Sequence, residues 1–179
     1  MFELRPEGPG DQWEVEALYD LCFAPGREAL SSYRLRDDVP PVADLCLVAV
    51  DEGAIAGAIR FWPVRIGEAR ALLLGPVAVH PTHQGEGMGA WLIREGIDRA
   101  RADGWQRMLL VGDAPYYGRF GFARLDRVTM PPPQPRTCPR TGLAARRVGS
   151  RHRRGNARRL KSRPRKRSLS HRSGIMRGA

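Results

Sequence analysis

The sequence predicts an α/β fold, a mixed β-sheet flanked by helices, on three observations. A strand-like run, a glycine-rich loop and an amphipathic helical pattern follow one another directly between residues 69 and 104. Two apolar runs, Leu45 to Val50 and Ala54 to Phe61, precede that unit as a hairpin, and another, Arg107 to Val111, follows it. Strands thus alternate with helical pattern, the mark of an α/β sheet.

The chain of 179 residues suits one domain, but its composition changes abruptly near residue 130. All 19 acidic residues and all 13 aromatics lie in 1–130, which carries 14 arginines and a net charge of −5. Residues 131–179 hold 14 arginines, both lysines and no acid, a net charge of +16. The sequence therefore divides into a folded domain, 1–130, and a basic Arg/Pro-rich tail, 131–179, expected to be disordered. No apolar run is long enough to span a bilayer, and the N-terminus, with Glu3 and Glu7, lacks the basic-then-apolar order of a signal peptide, so a cytoplasmic protein is expected. Cys22, Cys46 and Cys138 are unclustered and read as small buried hydrophobes, with no metal site.

In chain order, Phe2 to Arg5 can form a short strand before the Pro-Gly turn at 8–10. Asp11 with Glu14 resembles a capping box, and Val15, Leu18, Tyr19 and Cys22 recur at helical spacing until Ala24-Pro25-Gly26 stops them. A second short helix is expected over 27–36. Asp37 and Asp38 then form either a solvated loop or a lure for a cationic amine. The hairpin turns at Asp51-Glu52-Gly53 and again near Gly67-Glu68, leading into a strand from Ala69 to Val79. Gly75-Pro76 interrupts that strand, and because proline cannot donate to a ladder, pairing must lapse or bulge there. The next helix presents Leu92, Ile93, Gly96, Ile97 and Ala100 on one face and ends at Gly104. Arg107 to Val111 is then a strand parallel to 69–79.

The loop is Gln84-Gly85-Glu86-Gly87-Met88-Gly89. Three glycines in five positions remove the Cβ atoms that would hold an anion off the backbone, and the helix that follows offers unpaired N–H groups and the positive end of its dipole. The loop has no lysine, so it is not a G-x-x-x-x-G-K-[ST] loop, and its G-x-G-x-G spacing is not the dinucleotide fingerprint. What remains is a diphosphate held by backbone amides. In this context the residues resemble the GNAT superfamily of N-acetyltransferases, whose acyl-CoA signature is R/Q-x-x-G-x-G/A. The resemblance covers about residues 2 to 125. It implies a splayed sheet, in which the pantetheine arm of acetyl-CoA lies along Val77, Ala78 and Val79, and a pyrophosphate site at Gln84, Gly85, Glu86, Gly87, Met88 and Gly89. Glu86, a carboxylate in an anion site, must point to solvent.

A second stretch, Gly112-Asp113-Ala114-Pro115-Tyr116-Tyr117-Gly118-Arg119-Phe120-Gly121-Phe122, resembles the bacterial GNAT segment in which a short helix presents a tyrosine ahead of a Gly-Phe pair. The Y-x-x-x-G-F spacing selects Tyr117 as the catalytic residue, with Tyr116 beside it; packing is the alternative role for both. A phenol there would protonate the CoA thiolate that leaves when an amine attacks the thioester, and no metal is required. Glu68 and Asp113 are candidates for the base by chemistry alone.

The implied activity is acetyl transfer from acetyl-CoA to an amine of a small molecule or a protein. Two alternatives stand beside it: a nucleic-acid-binding protein acting through the basic tail, and a CoA-binding remnant without catalysis. The family's sheet ends with a sixth and a seventh strand. The sixth can start at Phe122, but the tail shows no alternating run, so the last strand is expected to be missing. The chain's 28-to-2 balance of arginine over lysine suits GC-rich codons, and the tail's composition suits an out-of-frame reading of them.

Overall fold

Alternation of apolar side chains along the central strands builds a sheet buried on both faces. In the computed structural model, which describes residues 2–23, 27–29, 31–125, 128–129, 142–147 and 175–176, Leu47, Ile59, Phe61, Leu72 and Leu74 face one layer of core, while Val48, Ala58, Leu73 and Ala78 face the other. Among the described residues the strands are β1 (Glu3–Pro6), β2 (Leu47–Asp51), β3 (Ala54–Ile66), β4 (Ala69–Val79), β5 (Arg107–Gly112), β6 (Ala123–Leu125), β7 (Gly142–Arg147) and β8 (Ile175–Met176). They form one sheet in the order β1-β2-β3-β4-β5-β7-β6-β8. β4 and β5 pair in parallel and the other neighbours antiparallel, so the sheet is mixed as expected.

Helix α1 (Gln12–Phe23) covers the Val48–Ala58–Ala78 face through Val15, Leu18 and Tyr19, at the spacing read from the sequence. The long helix α3 (Met88–Ala102) covers the opposite face through Leu92, Ile93, Ile97 and Ala100. Gly96 is required there by close approach: a Cβ on it would lie 2.5 Å from Phe61 Cζ of β3. The tight hairpin turn at 51–53 forms with Glu52 and Gly53 both at positive φ, 49° and 88°.

The proline in β4 has the expected effect. Register runs Ile59↔Val77 and then Phe61↔Leu74, so Gly75 and Pro76 oppose the single residue Arg60 and β4 bulges. The extra residue inverts the side-chain phase, which puts Leu72 and Leu74 before the bulge and Val77 and Val79 after it on the α3 face. β4 also parts from β5: their pairing covers only Leu72–Leu74 against Met108–Leu110. The sheet is splayed from residue 75 onward.

Three expectations are corrected. The Asp11 carboxylate accepts from the Gly8 N–H at 2.6 Å and from the Arg5 guanidinium, so it ties the first turn to β1 instead of closing a capping box with Glu14. The second helix is broken, a 3-10 turn at Arg27–Ala29 and a single α-turn, α2 (Ser31–Arg34). The last strand is present. β7 pairs with β5 over all six residues and with β6 at Ala123↔Ala145 and Arg124↔Ala144, and β8 covers the other edge of β6. An alternating apolar run was the wrong requirement for β7, because the free edge of β5 supplies a backbone ladder to a segment with only one large apolar residue, Leu143. The out-of-frame account leaned on a fold cut before this strand, and that support is gone. The disorder expected of the tail, and Cys138, otherwise lie outside the described residues.

Candidate active site

The splay leaves a line of backbone groups on β4 without a strand partner. His80 N–H donates to Ala56 of β3 at 2.8 Å, and alternation along a strand therefore turns the N–H groups of Val77 and Val79 the other way, into the gap. The carbonyl of Val79 is already engaged: the Gln84 side-chain amide donates to it at 3.1 Å and the Cys22 thiol at 3.4 Å. Gln84 thus straps the glycine loop to the end of β4. The loop continues through Gly85 and Gly87, at φ of 89° and 85°, and Gly87 caps α3 from the left-handed region. A Cβ at either position would meet nothing within 4 Å, so the backbone faces open space on that side. The helix's own ladder begins with Trp91 N–H donating to Gly87, which leaves the amides of Met88, Gly89 and Ala90 at the exposed positive end of a four-turn helix. The Met88 side chain is buried against Gly57 and contributes its amide alone. Glu86 turns away to His83, 3.5 Å from Nδ1, and is half exposed, as an anion site requires.

The tyrosines close the gap from the other side. Asp113 caps the short helix α4 (Ala114–Gly118) by accepting from Tyr116 N–H at 3.1 Å. The Tyr117 ring lies on Gly112 at the end of β5, so close that a Cβ there would be 2.2 Å from Cε2. It also packs edge-on against Tyr116 and Phe122. Burial first, then the neighbouring Tyr116 and Asp113, pushes its phenol up to about 12, so the hydroxyl keeps its proton. The Tyr116 hydroxyl reaches over the start of α3, 3.3 Å from where a Gly89 Cβ would be, beside Val79. The unpaired β4 edge, the glycine loop and the Tyr116 hydroxyl therefore border one gap, and the Tyr117 ring stands behind Tyr116 on the end of β5. Glu68 is fully exposed in the β3–β4 turn, and Asp113 is spent on its cap, so neither stands as a base at this gap.

Residues 12–122 match the Acetyltransferase (GNAT) family. The chain belongs to that family. It is 34% identical over 122 residues to the N-acetyltransferase YhbS of Escherichia coli K12, covering 66% of this chain and 72% of the relative. The crystal structure of E. coli YhbS in complex with CoA superposes with a TM-score of 0.67 at 28% identity, over 83% of this chain and 82% of that one. A GNAT family acetyltransferase from Brucella melitensis in complex with acetyl-CoA superposes with a TM-score of 0.58 at 32% identity, over 80% and 95%.

On the opposite face of the GNAT sheet, under α1 and α2, lies a cavity of about 280 Å³ that sequence reasoning missed. Pro76 of the bulge forms part of its wall, with Tyr33, Arg36 and Trp62. Two other arginines there are fully engaged. Arg60 donates to Glu7 at 2.8 Å and to Glu16, and Arg27 donates to Asp20 and to the Tyr33 hydroxyl at 2.7 Å each and to Glu16. Desolvation opposes both charges, but these hydrogen bonds hold the guanidiniums above their ordinary range. Glu16 pays the desolvation of its site too, and its two arginines still pull its carboxyl below the ordinary value, so it is a poor base. Asp37, one of the two acids with an open role in the sequence, lines the cavity.

Proposed function

We propose that this GNAT protein transfers the acetyl group of acetyl-CoA to an amine through the gap between β4 and β5, with Tyr117 as the acid. The observation that supports the proposal is the gap itself, which runs from the outward-facing amides of Val77 and Val79 to the glycine loop and has the Tyr116 hydroxyl at its side and Tyr117 packed against Tyr116. In this reading the pantetheine arm follows Val77, Ala78 and Val79, and the pyrophosphate takes the amides from Gly85 to Gly89, with Gln84 holding the loop in place. Gly85 and Gly87 fit a diphosphate because their open faces put no Cβ between anion and backbone.

The neutral amine attacks the thioester carbonyl, and an outward-facing β4 amide stabilises the developing negative oxygen. The C–S bond breaks as the phenol protonates the departing thiolate, and the phenolate takes back the proton released by the nitrogen. A phenol near 12 giving its proton to a thiol of ordinary acidity, near ~8.5, loses about 5 kcal/mol. The step becomes accessible because a thiolate in the same gap suffers the same desolvation, which raises its own proton affinity. The reaction takes place in the cytoplasm in this proposal. The remnant alternative rested on a lost last strand, and β7 removes its premise. The nucleic-acid alternative is not favoured, since the family match lies entirely in the domain and not in the tail.

The test is acetyl-CoA binding by calorimetry together with thiol release in the presence of an amine panel. Binding with turnover that Tyr117→Phe suppresses supports the proposal. A folded protein that fails to bind CoA overturns it.

A further inference from the structure

Among the described residues, only three buried side-chain polar atoms lack a hydrogen-bond partner: Nε and Nη1 of Arg36 and Nε1 of Trp62. All three are donors, and both residues line the cavity beside Pro76. Buried donors without acceptors are costly, and an arginine that keeps two of them beside two arginines that are fully engaged calls for an explanation. Arg36 is 9% exposed, with its guanidinium carbon 4.2 Å from the centre of the Tyr33 ring and 5.4 Å from that of Trp62, so two aromatic rings hold it at the cavity wall. Its Nη2 comes within 3.9 Å of a Cβ position on Gly75, so the guanidinium sits at the β4 bulge itself. Desolvation lowers its proton affinity by more than the neighbouring Tyr33, which hydrogen-bonds to it, restores. Pro76 directly precedes Val77, where the unpaired edge of β4 begins, so the cavity adjoins the place where an amine would meet the thioester.

We propose that the acceptor amine also carries a carboxylate, and that Arg36 and the Trp62 indole N–H receive it. The inference rests on the acetyltransferase reading and names its substrate class. Three unsatisfied donors and a buried positive charge match two carboxylate oxygens and one negative charge. A phosphate monoester would bring nearly twice that charge into a cavity whose rim also holds Glu28 and Asp37. Those two acids suit the other end of the same molecule, the ammonium, before it loses a proton and attacks.

The test compares free amino acids with their carboxamides as acceptors, using acetyl-CoA and the full chain. The carboxylate forms are expected to have kcat/KM at least ~10²-fold above the amides. Arg36→Gln should raise their KM by ~10- to 10²-fold, with a much smaller rise for the amides, and should not change CoA affinity. Trp62→Phe, which keeps the packing and removes the N–H, should give a smaller rise in the same direction. Equal use of acids and amides, or an equal loss for both in Arg36→Gln, overturns the inference while leaving the acetyltransferase reading intact. A second readout needs no turnover. With CoA present, propionate should shift the NMR resonance of the Trp62 indole N–H, identified by its loss in Trp62→Phe, and propionamide should not. That shift without acetylation of any amine would sink the acetyltransferase reading and keep the site; no shift with propionate would sink the site.

Discussion

Gly112→Ala tests whether the position of Tyr117, and not merely its presence, matters for acetyl transfer. The added methyl would lie 2.2 Å from Tyr117 Cε2, 2.8 Å from Cδ2 and 3.2 Å from Cζ, where van der Waals contact needs about 3.5–4 Å. The ring must therefore retreat by more than 1 Å, away from β5 and against Phe120 and Phe122. Displacement on that scale costs about 10²-fold in rate when a group must reach its target in line. Overpacking should also cost about 1–3 kcal/mol of stability, read as a lower midpoint in urea. CoA affinity should stay close to wild type, because Gly112 is outside the loop. The decisive measurement is the double variant with Tyr117→Phe. Phenylalanine has the same ring, so the stability loss should recur in full, whereas the rate should fall no further than in Tyr117→Phe alone. A folded Gly112→Ala enzyme with wild-type kcat would refute the reasoning, as would rate losses that simply multiply.

Tyr117→Phe by itself should lower kcat ~10²- to 10⁴-fold with little change in CoA affinity, and Tyr116→Phe should matter less; equal activity in Tyr117→Phe would make it a packing residue. Because burial raises the phenol to about 12, the neutral form contributes stability that is complete below its unfolded value near ~10 and is lost as pH rises through about 12, so the pH–rate profile should show no alkaline loss at 10 wherever the protein stays folded. Gly87→Val places a β-branched side chain at φ 85° in the loop, which should cost about 1–3 kcal/mol in strain and weaken CoA binding, measured by calorimetry beside a thermal melt. Ending the chain at residue 130 removes β7 and the ladder it gives to β5, so stability should drop by several kcal/mol at ~1 kcal/mol per hydrogen bond; an unchanged melt would show that β7 adds nothing.

The glycine loop and the break in β4 were legible in the sequence because their determinants are local. Glycines at 85, 87 and 89 announce a backbone that something approaches, proline at 76 announces a break in a ladder, and both effects act within a few residues of their cause. The hairpin turn and the helix spacings are legible for the same reason. β7 was not, since its place depends on an edge offered by β5 from elsewhere in the chain, and Gly142-Leu143-Ala144-Ala145 carries little pattern of its own. The cavity beside Pro76 was hidden by the same rule. Arg27, Arg36 and Arg60 are indistinguishable in the sequence, and only the fold gives Arg27 and Arg60 their carboxylates and leaves Arg36 among rings. The signal that could have raised it was weak, an arginine and a tyrosine three apart just ahead of two acids.

The bulge at Gly75 and Pro76 ties the two faces together. In a strand, side-chain direction and amide direction are locked to one another, so one extra residue shifts both. Before the bulge β4 pairs with β5 in parallel and buries Leu72 and Leu74 under α3; after it, Val77 and Val79 return to the α3 face and their amides meet no strand. The same insertion puts Pro76, which has no N–H to leave unsatisfied, at the wall of the cavity, with Arg36 beside Gly75. A regular strand here would put Val77 and Val79 on the α1 face and close the sheet against β5. The amides proposed to hold the donor and the guanidinium proposed to hold the acceptor thus depend on one irregularity. Straightening it should damage CoA binding and carboxylate preference together, whereas Gly87→Val touches only the first and Arg36→Gln only the second.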